Sequence, residues 1–185
     1  MKRIVAILLT LALLTAPLTV QAKTVNRYTT QTVSLCERST VKAKTVYKVK
    51  ANTKVAVIKT GKVWAQVKYK GRTLSVQKKY IHATRAVNVY PGKKFKRRGR
   101  ARWNKCSWTW YSQRVLPGRG LKIPGRHVDR KRGFVLDKDG YICLASGRSN
   151  KKKRAVVPTP FGMYGKVYDT NGRNNNKWFD VYTAW

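Results

Sequence analysis

Beyond a short leader at residues 23–30, apolar and polar residues alternate in short runs bounded by turn residues. Val33 and Leu35 open one run, and residues 45–49 and 53–58 form the next two. Gly61 then turns into residues 63–69, where Val63, Ala65, Val67 and Tyr69 share one face at period two. Lys70-Gly71 turns into residues 73–76, and Tyr80-Ile81 closes the set. Five or six short strands without helical periodicity predict a small β-barrel.

The second half repeats the theme. Cys106, Trp108 and Trp110 alternate onto one face of a strand, and residues 116–125 are irregular, with five turn residues. Gly133-Phe-Val-Leu136, the turn Asp137-Lys-Asp-Gly140 and Tyr141-Ile-Cys-Leu144 read as hairpin, turn and return strand. Residues 155–162 continue the unit. Two strand-like runs end it, Lys166-Val-Tyr-Asp169 and Trp178-Phe-Asp-Val-Tyr182, separated by a Gly/Asn-rich turn at residues 171–176. The pattern predicts an all-β chain of two units, with strands over residues 28–83 and 103–185.

The first twenty-two residues have a different layout. Lys2 and Arg3 precede an apolar run from Ile4 to Leu14, Pro17 breaks it, and Val20-Gln-Ala22 supplies small residues for cleavage. This is the arrangement of a secretory signal peptide over residues 1–22, and it predicts a secreted, extracellular or wall-associated protein. The apolar run is short for a bilayer span, and no later segment could cross one.

Charge narrows the partners. The formal net charge is +36, and loss of Lys2 and Arg3 leaves +34. Such a chain repels itself and seeks polyanions: wall polymers, anionic lipid headgroups, extracellular DNA or acidic polysaccharide. Residues 93–102 place seven cations in ten positions, the pattern of an extended, solvated linker over residues 90–102 that can also clamp a polyanion. Residues 147–154 make a second basic loop. The acids are few and lopsided. Glu37 stands alone in the first 128 positions, whereas Asp129, Asp137, Asp139, Asp169 and Asp180 fall in the last 57. Carboxylate chemistry therefore belongs to the second unit. Asp137 and Asp139 fit as turn formers, since the oxygen-ligand run of a calcium loop is missing. Asp169 and Asp180, each set in a strand-like run, are either held by hydrogen bonds and cations or kept protonated in an apolar site.

Other chemistries have little support. His82 and His127 are the only histidines and lie far apart, so no zinc constellation and no other metal site is expected. No cofactor motif is present; the glycines of residues 116–125 lack the strand–turn–helix context of a phosphate loop. Cys36, Cys106 and Cys143 leave two readings open: a Cys106–Cys143 bridge with Cys36 free, or three small buried residues in strands.

Two resemblances add to this. Val33-Ser-Leu-Cys-Glu-Arg-Ser-Thr40, Thr53-Lys-Val-Ala-Val-Ile58, Val63-Trp64 and Lys79-Tyr-Ile81 resemble a bacterial SH3-type domain over residues 28–83. That family is common in secreted and wall-associated proteins and is taken to bind wall components. Tyr141-Ile-Cys-Leu-Ala-Ser146, Val157-Pro-Thr-Pro-Phe-Gly162, Gly165-Lys-Val-Tyr-Asp-Thr170 and Phe179-Asp-Val-Tyr182 resemble the 3D domain. The 3D domain is a six-stranded double-psi β-barrel of secreted wall-remodelling proteins, and the MltA-type lytic transglycosylases share its core. Asp169 and Asp180 fall on two of the family's three aspartates; the first falls near Ala145. The resemblance implies cleavage of peptidoglycan glycan strands with Asp180 as a single acid/base of raised pKa and Asp169 orienting the sugar. It also implies Lys166, Tyr168 and Tyr182 as substrate-binding neighbours. The alternative is a non-catalytic, cationic wall-binding protein on the same scaffold. Incidental nucleic-acid binding through charge is open to either.

Overall fold

A computed structural model describes residues 24–112, 123–147, 154–175 and 177–185. The expected signal peptide lies outside the described residues, as do most of the irregular stretch and the tip of the second basic loop. The fold is all-β, with two sheets, one of them a curled half-barrel, and a single short helix among the described residues.

The first sheet comprises β1 (Val25–Thr29), β2 (Val33–Cys36), β3 (Thr45–Val49), β4 (Lys54–Thr60), β5 (Trp64–Tyr69), β6 (Arg72–Gln77) and β7 (Ile81–His82). Every pairing is antiparallel, in the order β3-β2-β6-β5-β4-β1-β7. Lys70 and Gly71, with φ of 48° and 75°, form the tight β5–β6 hairpin that the right-handed strand twist favours. Leu35, Val55, Ala65, Val67, Leu74 and Val76 bury almost completely in one cluster. The period-two face begins at Ala65 rather than Val63, which precedes β5 and is 59% exposed. The short leader contributes a strand of its own: Val25–Thr29 form β1. Three residues outside the 28–83 boundary thus belong to the sheet, because β1 fills the gap between β4 and β7.

The basic block departs most from expectation. It is not a solvated tether: Gly92–Arg98 form helix α1, and Arg100–Trp103, though extended, form strand β8 of the second sheet. The cause is one apolar residue among the cations. Phe95 is fully buried and packs its ring 4.6 Å from that of Phe161, and Ala101 and Trp103 join the same core. Gly99, with φ of 69°, ends the helix by donating its N–H to the Phe95 carbonyl. Lys96, Arg97 and Arg98 occupy the last turn, where the helix dipole favours cations.

The second sheet continues through β9 (Cys106–Ser112), β10 (His127–Asp129), β11 (Phe134–Leu136), β12 (Ile142–Ser146), β13 (Val156–Pro158), β14 (Tyr164–Thr170) and β15 (Trp178–Thr183). It has eight strands, not six, since the basic block contributes β8 and β10 pairs with β11. The order is β13-β14-β12-β11-β15-β9-β8, with a further direct pairing of β12 and β15. Two pairings are parallel, β12 with β14 and β15 with β9; the rest are antiparallel. One face carries the main core of Trp108, Phe134, Ile142, Leu144, Val167, Phe179 and Val181, with Phe95 of α1 over it. As the sequence pattern required, Cys106, Trp108 and Trp110 all face this core.

The two sheets meet through polar contacts around a small cluster of Ala86, Tyr141 and Tyr164. The hydroxyls of Thr30 and Tyr141 hydrogen-bond at 2.7 Å. Asn52 donates to the Gly162 carbonyl and accepts from the Ala86 N–H, and Tyr164 donates its hydroxyl to the Thr84 carbonyl.

Candidate functional site

Opposite the main core, the second sheet presents its other face, and there the two aspartates meet. Ala145 of β12 is in register with Asp169 of β14 on one side and with Asp180 of β15 on the other. Residues in register on adjacent strands project to the same face. Asp169 and Asp180 therefore share a face, two strand spacings apart, roughly 10 Å at the backbone. Buried Ala145 forms a small floor between them. The row continues outward: Asp180 pairs with Thr109 of β9, and Thr109 with Arg100 of β8.

A β-bulge assists. Val167 opposes Leu144 and Asp169 opposes Ala145, leaving Tyr168 as the extra residue. The bulge lets Tyr168 and Asp169, neighbours in sequence, both serve the same face. Tyr168 packs there against Cys143, Ala145 and Tyr182.

Hydrogen bonds differentiate the carboxylates. Asp169 accepts from the Thr170 N–H on Oδ1 at 2.8 Å and from the Tyr182 hydroxyl on Oδ2 at 3.0 Å, so both oxygens are engaged. Asp180 accepts from the Thr109 hydroxyl on Oδ1, and Thr109 in turn accepts from Trp178 Nε1 at 2.9 Å. Among the described residues, Asp180 Oδ2 accepts no hydrogen bond. Both aspartates are half-buried. Burial first, then the charge of Asp169 with its hydrogen bond and the charge of Asp180, push the Tyr182 phenol well above its ordinary pKa. It is held as a proton donor.

Lys166 and Tyr168 are turned to a third carboxylate. Asp137 is fully buried. Its Oδ1 accepts the N–H groups of Asp139 and Tyr141, which makes it the turn former the sequence predicts. Its Oδ2 accepts the Tyr168 hydroxyl at 2.7 Å and pairs with Lys166 Nζ at 2.8 Å. Lys166 also reaches Asp139 at 3.0 Å and lies 4.3 Å from the centre of the Tyr141 ring. Burial alone would raise the Asp137 carboxyl. Hydrogen bonds from Lys166, Tyr168 and the Tyr141 amide, with the Lys166 charge, outweigh it and hold Asp137 below the usual carboxylate range. Lys166 thus anchors β14 to the 137–141 turn and does not reach between Asp169 and Asp180.

Sequence reasoning missed Asp137 as a hub, and it missed Thr109, Tyr111, Arg100 and Arg102 as members of this face. A signal existed for two of them. If Cys106, Trp108 and Trp110 face the core, then Thr109 and Tyr111 face away from it. Tyr111 is 46% exposed, with its ring 6.3 Å from that of Tyr182.

The cysteines are free: Cys36 and Cys143 are buried and Cys106 is half-buried. Burial, and then the Asp137 charge, push the Cys143 thiol up to about 12, which makes it inert. No cluster of metal-ligating side chains occurs among the described residues. No helix among them is long and apolar enough to cross a membrane. Comparisons with protein-family models, with curated proteins and with solved structures find no match to this chain.

Proposed function

We propose that this is a secreted protein of the bacterial cell envelope that acts on peptidoglycan glycan strands as a lytic transglycosylase, with Asp180 as its acid/base. In this reading the first sheet is an SH3-like wall-binding module, and the second is a 3D-like double-psi barrel. Parallel pairings of β12 with β14 and of β15 with β9, set among antiparallel ones, support that architecture. The observation that carries the functional reading is the register of Asp169 and Asp180 on either side of Ala145.

The hydrogen bonds support a division of roles. Thr109 fixes Asp180 through Oδ1 and leaves Oδ2 toward the substrate. Protonated Asp180 donates from Oδ2 to the bridging glycosidic oxygen as the bond to the anomeric carbon breaks. The same oxygen then removes the proton from a hydroxyl of the sugar that bears the anomeric carbon, and that hydroxyl's oxygen closes on the anomeric carbon within the one ring. The product is an anhydro ring, no water is consumed, and Asp180 ends protonated as it began. Asp169, with both oxygens engaged, orients the sugar and does not exchange protons. Tyr111 offers an exposed ring on which a sugar face can stack.

The test is mass spectrometry of purified peptidoglycan after incubation with the protein or with its Asp180→Asn variant. Anhydro-muropeptides from the parent alone are expected. Reducing ends in their place would mean hydrolysis, with a second carboxylate activating a water. A second reading draws on Ala145, which stands where the resemblance places a third carboxylate. The protein would then be a cationic wall-binding protein without catalysis, and it would sediment with sacculi but release nothing.

A further inference from the structure

Strand β8 lies at the edge of the sheet, and its residues alternate cleanly: Ala101 and Trp103 go to the core, while Arg100 and Arg102 are exposed. Register fixes which face the two arginines share. Arg100 pairs with Thr109, which pairs with Asp180; Arg102 pairs with Ser107, which pairs with Trp178. Both arginines therefore stand on the aspartate face, two strands from Asp180, or roughly 10 Å at the backbone. Arg173 extends the strip, with its guanidinium 4.1 Å from the centre of the Trp178 ring. Neither Arg100 nor Arg102 is paired with a carboxylate among the described residues. The cations of α1 project elsewhere, because Phe95 docks that helix on the opposite, core-bearing face.

A guanidinium with no internal acid, placed at a fixed offset from an acid/base, suits a planar anion on the substrate. We infer that the glycan bound at this site carries carboxylates and that Arg100 and Arg102 form the subsite that reads them. This rests on the proposed glycan reading and adds the substrate's charge and the residues that select for it. A long glycan chain laid across the strands from β14 to β8 would present its acidic substituents to the arginines while a glycosidic bond lies over Asp180. General attraction from the protein's charge would favour any polyanion. This subsite instead requires two particular arginines.

The probe is soluble, peptide-bearing peptidoglycan chains, either native or with their carboxylates converted to amides. Affinities are measured by calorimetry at roughly 0.15 M salt, where attraction between distant exposed charges is largely screened. Three proteins are compared: the parent, R100Q/R102Q, and the charge-matched K93Q/R97Q on the far face. The parent is expected to prefer the native chains by at least about tenfold, the value of one charge-assisted hydrogen bond. R100Q/R102Q should lose that preference, and K93Q/R97Q should keep it. Equal losses in the two variants would overturn the inference in favour of diffuse charge. Equal binding of native and amidated chains by the parent, or no binding of either, would overturn it as well. So would tighter binding of a short DNA duplex that depends on the same two arginines. If the arginine-dependent preference appears but no bond is ever cleaved, the subsite stands and only the enzymatic reading falls.

Discussion

Asp137 offers the sharpest quantitative test of how this sheet is held. Its carboxylate is wholly excluded from solvent and takes two backbone N–H groups on one oxygen and Tyr168 and Lys166 on the other. Asp137→Asn keeps the shape and can keep the acceptor for the backbone amides. The amide nitrogen then faces the Lys166 ammonium, a donor it cannot satisfy, and the Tyr168 hydroxyl, which must turn its proton away to accept from it. Both bonds to the ionised carboxylate are charge-assisted and worth about 2 kcal/mol each, and a largely buried ammonium loses its nearest counter-charge. Asp139 still holds Lys166 at 3.0 Å and recovers part of this. The expected loss is therefore about 3 kcal/mol, or roughly 6–12 °C in Tm for a chain of this size. Urea unfolding followed by near-ultraviolet circular dichroism measures it directly. Tyr168→Phe should cost about 2 kcal/mol in the parent and clearly less in the Asp137→Asn background, since the hydroxyl has already lost its ionised acceptor. A loss below about 1 kcal/mol for Asp137→Asn, or full additivity of the two changes, would refute the buried hub.

Three further outcomes follow from the same contacts. Asp137 and Asp129 both have pKa values held below the usual range; burial opposes this in each, and hydrogen bonds led by Lys166 and by Arg132 respectively win. Their stabilisation is present above the unfolded pKa of about 3.9 and is lost as pH falls through the folded values. Melting curves between about pH 2 and 7 should show a Tm that drops below about pH 4, with a shallower drop for Asp137→Asn. Phe95→Ala should cost about 3–5 kcal/mol, as for a fully buried aromatic, and should open residues 93–102 to trypsin; a solvated tether would already be cut in the parent. Thiol titration should find three reduced cysteines on denaturation and, in the native state, reaction at half-buried Cys106 well ahead of Cys36 and Cys143. A mass two hydrogens lighter than the reduced chain would contradict it.

Some of this was legible from residue order alone. Period-two alternation identifies β5 and β9 because a strand's side chains must alternate between faces, whatever the strand pairs with. The turn at residues 137–140 announced itself through Asp and Gly, which satisfy local backbone geometry without tertiary help. The scarcity of acids singles out Asp169 and Asp180 from the residues alone. The basic block misled because net charge describes what solvent sees. Phe95 and Ala101, only two residues of the ten, decide where that backbone goes by burying in the core.

The partners of each strand were beyond the sequence. The runs that hold Asp169 and Asp180 follow one another across a short turn, yet they do not pair; β12 lies between them, parallel to one and antiparallel to the other. Nothing local encodes that choice, since a strand's hydrogen-bonding edges are the same groups whatever its neighbour. It is settled by which arrangement buries Leu144, Val167 and Val181 together on the far face. The residues themselves determined that this protein is cationic, all-β and sparing with carboxylates. Only the packing of one face of the second sheet decided that the other would bring Asp169, Ala145, Asp180, Thr109 and Arg100 into a single row.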